Sequence, residues 1–478
     1  MKKNLLTAIA VMVTALFAAT TIAQASDIKL GGEFWTRYEM NEQTDFNADT
    51  GADDFVQSRI RLNADIDIND SVSAFISMQS NRTWGGSVTG GVAGSNATPA
   101  GDGNGSFAVN NQDASVGINE AYFTIKNFAT LPVDLKVGTQ QVILDGWRLF
   151  GNTIWTMGQQ THDATTLIHK HDNMTAMYSW IIATEDGAPT GTNVDDKNDI
   201  ESHLVWLNYK GLLGGNLSVY YNYLQDGCGS ATNAACTGGA DDIHTIGFRQ
   251  AGQLYGIDYR GEYYHQWGDA TATRAGGIGV GSGTAGADVD RDAYMFGVRV
   301  GKNFNNVTMK PGVTFWYDYY SGTSDSDARN NEWGSFNTLF DTGHKFLGLM
   351  DLFLGVGNNA TPGGAVGGTR GLGIQDYAIK TKLNPIPGWT LKAHYHWFYT
   401  AEGIGANPAA GASSGAGTDS NSLGNELDVI LLHKLNANTL MNIGWSNYTT
   451  SEGLRTLSGG AVGSDDANWA YLQFQVNF

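Results

Sequence analysis

Apolar and polar residues alternate along most of this chain. In 253–268, Tyr255, Ile257, Tyr259, Tyr263 and Trp267 share one parity, and Asp258, Arg260, Glu262 and Gln266 the other. The split recurs in 54–68, where Ile60, Leu62, Ala64, Ile66 and Ile68 oppose Arg59, Arg61, Asn63, Asp65 and Asp67. It recurs in 306–320, where Val307, Met309, Val313, Phe315, Tyr317 and Tyr319 oppose Thr308, Lys310, Thr314 and Asp318. A period of two with this contrast predicts strands with one apolar face and one wet face. Further segments are predicted near 28–40, 72–84, 115–127, 132–144, 161–170, 173–184, 200–210, 215–226, 242–251, 290–303, 371–383, 388–401, 422–435, 438–450 and 467–478. The count is about 18, or about 16 without the weak segments near 161–170 and 371–383.

The connections alternate in length. Short ones fall at Asn69-Asp70-Ser71, 211–214, Gly252, Asn305 and Asn436-Ala437; long ones include 85–114, 185–199, 227–241, 269–289, 321–370, 402–421 and 451–466. Tight turns at one end and long loops at the other are the mark of a transmembrane barrel. Ala470, Leu472, Phe474, Val476 and Phe478 share one parity at the chain's end, like the terminal strand that barrel-assembly machinery reads. The fold class predicted is therefore all-β: one antiparallel transmembrane β-barrel, long loops outside and short turns in the periplasm. A closed sheet is required because lipid offers no partner to an unpaired strand edge.

The first residues specify the compartment. Lys2 and Lys3 precede the apolar run Leu5 to Ala19, and Ala23-Gln24-Ala25 suits a signal peptidase. Residues 1–25 are expected to be cleaved and 26–478 to form a single domain in a Gram-negative outer membrane. Composition agrees: Gly 63, Pro 8, 11% aromatic and 16% charged residues suit strands with opposed faces. A net charge of −19 argues against nucleic acid as a partner. Lipid and lipopolysaccharide are the expected surroundings. Cys228 and Cys236 are expected to clip a loop as a disulfide.

If the apolar parity faces lipid, the lumen receives Arg37, Arg59, Arg61, Lys126, Lys136, Arg249, Arg260, Arg299, Lys310, Lys380, Lys382 and Lys392. It also receives Glu33, Glu39, Asp65, Asp67, Glu120, Asp258, Glu262, Asp318, Asp376, Glu426 and Asp428. Such a wall attracts anions while its carboxylates prevent tight binding; the same charges can equally pair across strands and only hold the wall. Reversing Arg59 and Arg61 to Glu is expected to move selectivity toward cations. The acidic excess falls in loops, including Asp49, Asp53, Asp54, Asp195, Asp196, Asp241, Asp242, Asp325, Asp327, Asp465 and Asp466. Such runs are ordinarily solvated, with loop Ca²⁺ as the alternative; no other cofactor is expected. The 321–370 connection is long for a loop and carries Phe346-Leu347-Gly348-Leu349-Met350-Asp351-Leu352-Phe353. It is expected to fold over or into the pore rather than form an external hairpin.

Several motifs resemble the alginate-export family of outer-membrane channels. They are Asn119-Glu120-Ala121-Tyr122, Leu131-Pro132-Val133-Asp134-Leu135-Lys136-Val137-Gly138, Asp145-Gly146-Trp147-Arg148-Leu149 with Gln140, and Thr161-His162-Asp163. Phe336-Asn337-Thr338-Leu339-Phe340, Gly343-His344-Lys345 with Asp351, and Leu423-Gly424-Asn425-Glu426-Leu427-Asp428 continue it. The resemblance implies a monomeric barrel of the same strand count, with an arginine-lined lumen that passes an anionic polyuronate. It makes Arg59, Arg61 and Arg148 the leading cations, with Glu120 and Asp163 as counter-charges. The family commonly shows Gly-Arg-Gln where this chain has Gly138-Thr139-Gln140, and arginine where it has Gln160; fewer lumen arginines would weaken anion preference. The alternatives are a general diffusion porin and a barrel whose surface loops bind a partner. No nucleophile motif points to an enzyme. His394 and His396 lie on an inward face without an obvious serine, and His169, His171 and Asp172 read as a solvated turn.

Overall fold

Alternation of this kind closes into one antiparallel barrel. The computed structural model describes residues 27–42, 46–47, 51–84, 116–184, 199–226, 242–271, 288–353, 369, 371–404, 420–457 and 463–478. The expected signal peptide and the cysteines Cys228 and Cys236 lie outside the described residues.

The strands run β1 (Asp27–Glu42), β2 (Asp53–Asn69), β3 (Val72–Thr83), β4 (Gly117–Ile125), β5 (Asp134–Gln140), β6 (His162–His171), β7 (Met174–Thr184), β8 (Ile200–Leu212) and β9 (Gly215–Asp226). They continue β10 (Ile243–Leu254), β11 (Ile257–Thr271), β12 (Asp288–Asn303), β13 (Gly312–Tyr320), β14 (Glu332–Trp333), β15 (Ile374–Leu383), β16 (Trp389–Tyr399), β17 (Ser422–Lys434), β18 (Thr439–Thr450) and β19 (Ala467–Asn477). β14 is a two-residue strand in the long connection, lying parallel to β12. The remaining 18 form the barrel wall. The two weak sequence segments are real strands, β6 and β15, so the larger count holds.

Closure comes from β1, which pairs with β2 on one side and with β19 on the other, from Glu33↔Asn477 to Glu42↔Asn468. Phe478 completes the seam: its N–H donates to Gly32 O at 3.0 Å, and its carbonyl accepts from Gly32 N at 2.8 Å. Among the described residues no strand edge is left to lipid. The face assignment follows the period. On β2, Ile60 and Leu62 are exposed outward while Arg59 and Arg61 are buried inward. On β12, Val298 and Val300 are exposed outward and Arg299 is buried.

Three expected lumen positions are corrected. Lys126 is exposed in the turn after β4, which ends at Ile125. Lys310 is exposed, in the turn between β12 and β13, because β13 begins only at Gly312. Pro311 cannot donate to a ladder, and Met309 and Lys310 both adopt positive φ, so the apparent alternation at 307–310 belongs to a turn. Asp163 is exposed on the outer face of β6, because His162, Ala164 and Thr166 take the inward parity. The β10–β11 turn also shifts, to Tyr255 and Gly256, since Gly252 still pairs with Tyr259.

Candidate functional site

Two connections turn back into the barrel and meet there. The first, residues 141–161, links β5 to β6. The second is the stretch 334–353 of the long β13–β15 connection. Both carry aromatic and aliphatic runs that water would not hold, and the lumen buries Leu149, Phe150, Phe336, Phe346, Leu347 and Phe353 in one cluster. Backbone bonds tie the two together: Gly151 N donates to Phe340 O at 2.8 Å and Phe340 N to Leu149 O at 2.9 Å. A Cβ at Gly151 would meet Cβ of Thr342 and of Trp147, each at 2.9 Å, so this approach needs glycine. Gln160 reinforces the seam, its Nε2 donating to Gly151 O and Phe340 O.

Charged wall residues hold these loops. Arg37 donates to Trp155 O at 2.7 Å and to Glu39, and its guanidinium lies 3.8 Å over the Trp155 ring. Arg59 donates to Thr156 O at 3.1 Å; it and Arg61 share Glu33 at 2.8 and 2.9 Å. Arg61 also donates to Gln79. Glu120 accepts from the backbone N–H and the amide of Gln141. Across the lumen, Glu426 accepts from Leu349 N at 2.6 Å and Met350 N at 2.9 Å.

Arg148 is the central tie. It is buried, 2.7 Å from Asp318 and 3.1 Å from Glu262, it donates to the Tyr320 hydroxyl, and it lies 3.7 Å over Phe346. Asp318 also holds Arg299 at 3.2 Å, and Glu262 lies 3.8 Å from both Arg249 and Arg260. Asp145, three residues before Arg148, accepts from Trp206 at 2.9 Å and from the Tyr220 hydroxyl, with Arg249 at 3.6 Å. Four arginines thus surround three carboxylates. Toward the short-turn end this node opens into a cleft of about 380 Å³, lined by Arg249, Arg260 and Arg299 with Asp258, Asn216 and Thr314. Arginines facing a narrow polar space concentrate anions there.

Not every expected residue joins the node. Lys136 lies 3.7 Å over the Tyr122 ring on the β4–β5 wall. Lys392 is half-buried on β16, paired in register with Lys382 and Ile430. Position 139, where the family commonly has arginine, points outward: Thr139 donates to Asp163 at 2.5 Å. Its threonine therefore removes no lumen charge. Asp145, Trp155 and Gln160 were not legible as site residues, although Asp145 opens the quartet Asp145-Gly146-Trp147-Arg148. Among the acidic loop residues, Asp327 caps the short helix Asp325–Arg329 through Ser324 N at 2.8 Å. His171 and Asp172 are exposed at a turn, as expected.

Asp341, in the second inward segment, makes loop docking pH-dependent. Burial pushes its carboxyl up to about 7, against the pull of Arg148 and of donors from Gly343 and Thr338. A released loop would titrate in the usual carboxylate range, ~4. The docked state therefore holds the extra proton between these values, so docking is strongest below that range and weakens as pH rises through about 7. Single-channel current noise should grow from pH 5 to pH 7.5, and Asp341→Asn should flatten the rise. An unaltered profile in that variant would remove Asp341 as the titrating group.

A model of the family described as alginate export matches residues 26–462. No curated protein matches the sequence. Among solved structures, the chain is similar to OccAB3 of Acinetobacter baumannii at 12% identity and TM-score 0.57, covering 95% of this chain and 99% of that one. OccAB1 of the same organism gives 14% and 0.56, covering 96% and 99%. OccK3 (OpdO) of Pseudomonas aeruginosa gives 10% and 0.54, covering 97% and 99%. At these identities the likeness is one of fold.

Proposed function

The chain belongs to the alginate export family and forms an outer-membrane channel for hydrophilic solutes, and we propose that the solutes it favours are anionic, with acidic polysaccharide as the class. The observation that carries the proposal is the cleft of Arg249, Arg260 and Arg299, in which Asp258 is the one carboxylate among the described lining. Carboxylates of a solute would exchange from arginine to arginine there. Glu262 and Asp318, just behind, keep each contact weak enough to break. On this reading Arg249, Arg260 and Arg299 belong to the solute path. Arg37, Arg59 and Arg148 act mainly by holding the loops, because Arg37 and Arg59 are bonded to loop carbonyls and Arg148 ties its own loop to wall carboxylates. Reversal of Arg59 and Arg61 would then disturb the loop as well as the charge, which makes it a poor selectivity test.

The better test is Arg249→Glu with Arg260→Glu in planar bilayers under a salt gradient. Wild type should show an anion-directed reversal potential and block by uronate oligomers. The double variant should reverse the potential and lose the block. A wild-type pore that is unselective and indifferent to uronates would leave a general diffusion porin. We further read the chain as a monomer, inserted by barrel-assembly machinery through the strand ending at Phe478 and contacting lipopolysaccharide outside. No catalytic step is part of this reading.

A further inference from the structure

The inward faces of β15 to β18 carry a second polar cluster, away from the arginine cleft. His394 on β16 stands opposite Asp428 on β17, and His396 lies two residues further along the same face. Asp428 Oδ2 is 3.8 Å from His396 Nε2 and 4.0 Å from His394 Nδ1, and all three atoms lie within 4.8 Å of one another. His396 and Asp428 are fully buried. None of the three atoms has a hydrogen-bond partner among the described residues.

The neighbouring bonds explain why these atoms are left over. Asp376 on β15 takes the Nδ1 side of the His396 ring, at 2.9 Å from both carboxylate oxygens. Asp376 thereby accepts the ring proton and turns the Nε2 lone pair toward Asp428. Ser446 on β18 donates to Asp428 Oδ1 at 2.6 Å, which leaves Oδ2 facing the two rings. The result is two acceptors, His396 Nε2 and Asp428 Oδ2, aimed at each other beside a His394 Nδ1 that has no partner among the described residues. A buried acceptor without a partner has lost its water and gained nothing in return, and mutual repulsion adds to that. A cation at their centre removes all of these costs together.

We propose that His394, His396 and Asp428 bind a divalent transition-metal ion of the zinc class. Two imidazoles and a carboxylate are a donor set for Zn²⁺, with the remaining position left to water or a solute carboxylate. Asp376 supplies the carboxylate–histidine–metal relay that fixes ring orientation and donor strength. Tetrahedral zinc with bonds of ~2.0–2.1 Å holds its ligand atoms ~3.4 Å apart, so binding draws the donors inward by up to about an ångström. Lys380, paired with His394 across β15 and β16, and Lys392, two residues before His394 on the same face, bring opposing charge to this cluster. Asp376, Asp428 and Glu426 face these lysines, and the Lys380 Nζ also lies 4.0 Å from the Trp316 ring.

The test is titration of the refolded mature barrel with Co²⁺, followed by visible absorption, then displacement by Zn²⁺. Wild type should take up one equivalent with the intense bands of a tetrahedral site. His394→Gln and His396→Gln should lose those bands, and Asp376→Asn should weaken binding about 10–100-fold. His169→Ala with His171→Ala, which alters the exposed turn, should change nothing. Heat-modifiable migration reports folding of each variant. If His396→Gln fails to fold, His394→Gln decides, since that ring is half-buried and its Nδ1 makes no hydrogen bond among the described residues. Absence of the bands in wild type, or a full equivalent retained by His394→Gln, overturns the proposal. The first result would mean that Lys380, Lys392 and a shared proton alone neutralise the cluster.

Discussion

Arg148→Met should widen the channel without unfolding the barrel. The guanidinium binds Asp318 and Glu262 from a loop that the sheet hydrogen bonds do not otherwise need. Breaking a buried ion pair from one side costs ~3–5 kcal/mol, because the remaining charge keeps its desolvation and loses its partner. Here the lower figure applies. Asp318 still has Arg299 at 3.2 Å and Trp316 Nε1 at 2.6 Å, and Glu262 still has Arg249 and Arg260 nearby. The loss falls on loop docking, about 3 kcal/mol, enough to loosen 141–161 around Arg148 while Arg37, Arg59 and Glu120 still hold its ends. Larger single-channel conductance and faster proteolysis within 141–161 are expected, with unchanged heat-modifiable migration. Arg148→Lys should fall between, since one ammonium can face both carboxylates but loses the Nε bond to Glu262 and the Nη1 bond to the Tyr320 hydroxyl. Wild-type conductance and proteolysis in the Met variant would mean that Arg148 does not hold the loop.

The second large effect is expected from Gly348→Val, on the opposite side of the lumen. Gly348 has φ +85°, a region that a β-branched residue enters at a cost of ~1–3 kcal/mol. A Cβ there would also sit 2.3 Å from Glu426 Oε2. Glu426 is fully buried and already accepts the N–H groups of Leu349 and Met350, so it has little room to turn aside. Those two bonds, ~0.5–1.5 kcal/mol each, should be lost with the fit. The second inward segment then lifts from β17. Conductance should rise and hydrogen exchange at Leu349 and Met350 should accelerate by at least tenfold, while Gly348→Ala should show a smaller change of the same sign. Slow exchange at both amides in the valine variant would contradict this account.

These two variants act on parts of the molecule that differ in how they could be read. The barrel wall was legible in the chain itself. Alternation at Ile60, Leu62 against Arg59, Arg61 is a local property, and a strand in a closed sheet has only two faces to choose between. Strand number, the inward parity of Arg37, Glu262 and Asp428, and the alternation of turns and long loops all follow from that restriction. The errors were local too. Pro311 and two positive φ values end the ladder before Lys310 can join it. Asp163 was placed by motif resemblance rather than by the parity of its own strand, and parity prevails because the sheet's hydrogen bonds dictate it.

What each inward residue does was decided by tertiary structure alone. Arg148 lies 170 residues from Asp318, and Gln160 lies 180 from Phe340, yet they meet in the lumen. No periodicity specifies which loop enters the pore or which carboxylate an arginine finds there. Arg59 and Arg260 read alike as inward cations, but one is bonded to loop carbonyls and the other lines a cleft. Likewise, His394 and His396 were visible as an inward pair, while their convergence on Asp428 depended on the register between β16 and β17. The sequence by itself determined the barrel and its two faces, because both follow from short-range alternation in a closed sheet. The loop-filled lumen, its arginine cleft and its histidine cluster were decided by cross-lumen packing, because electrostatic and packing energies depend on distances that only the folded chain brings within range.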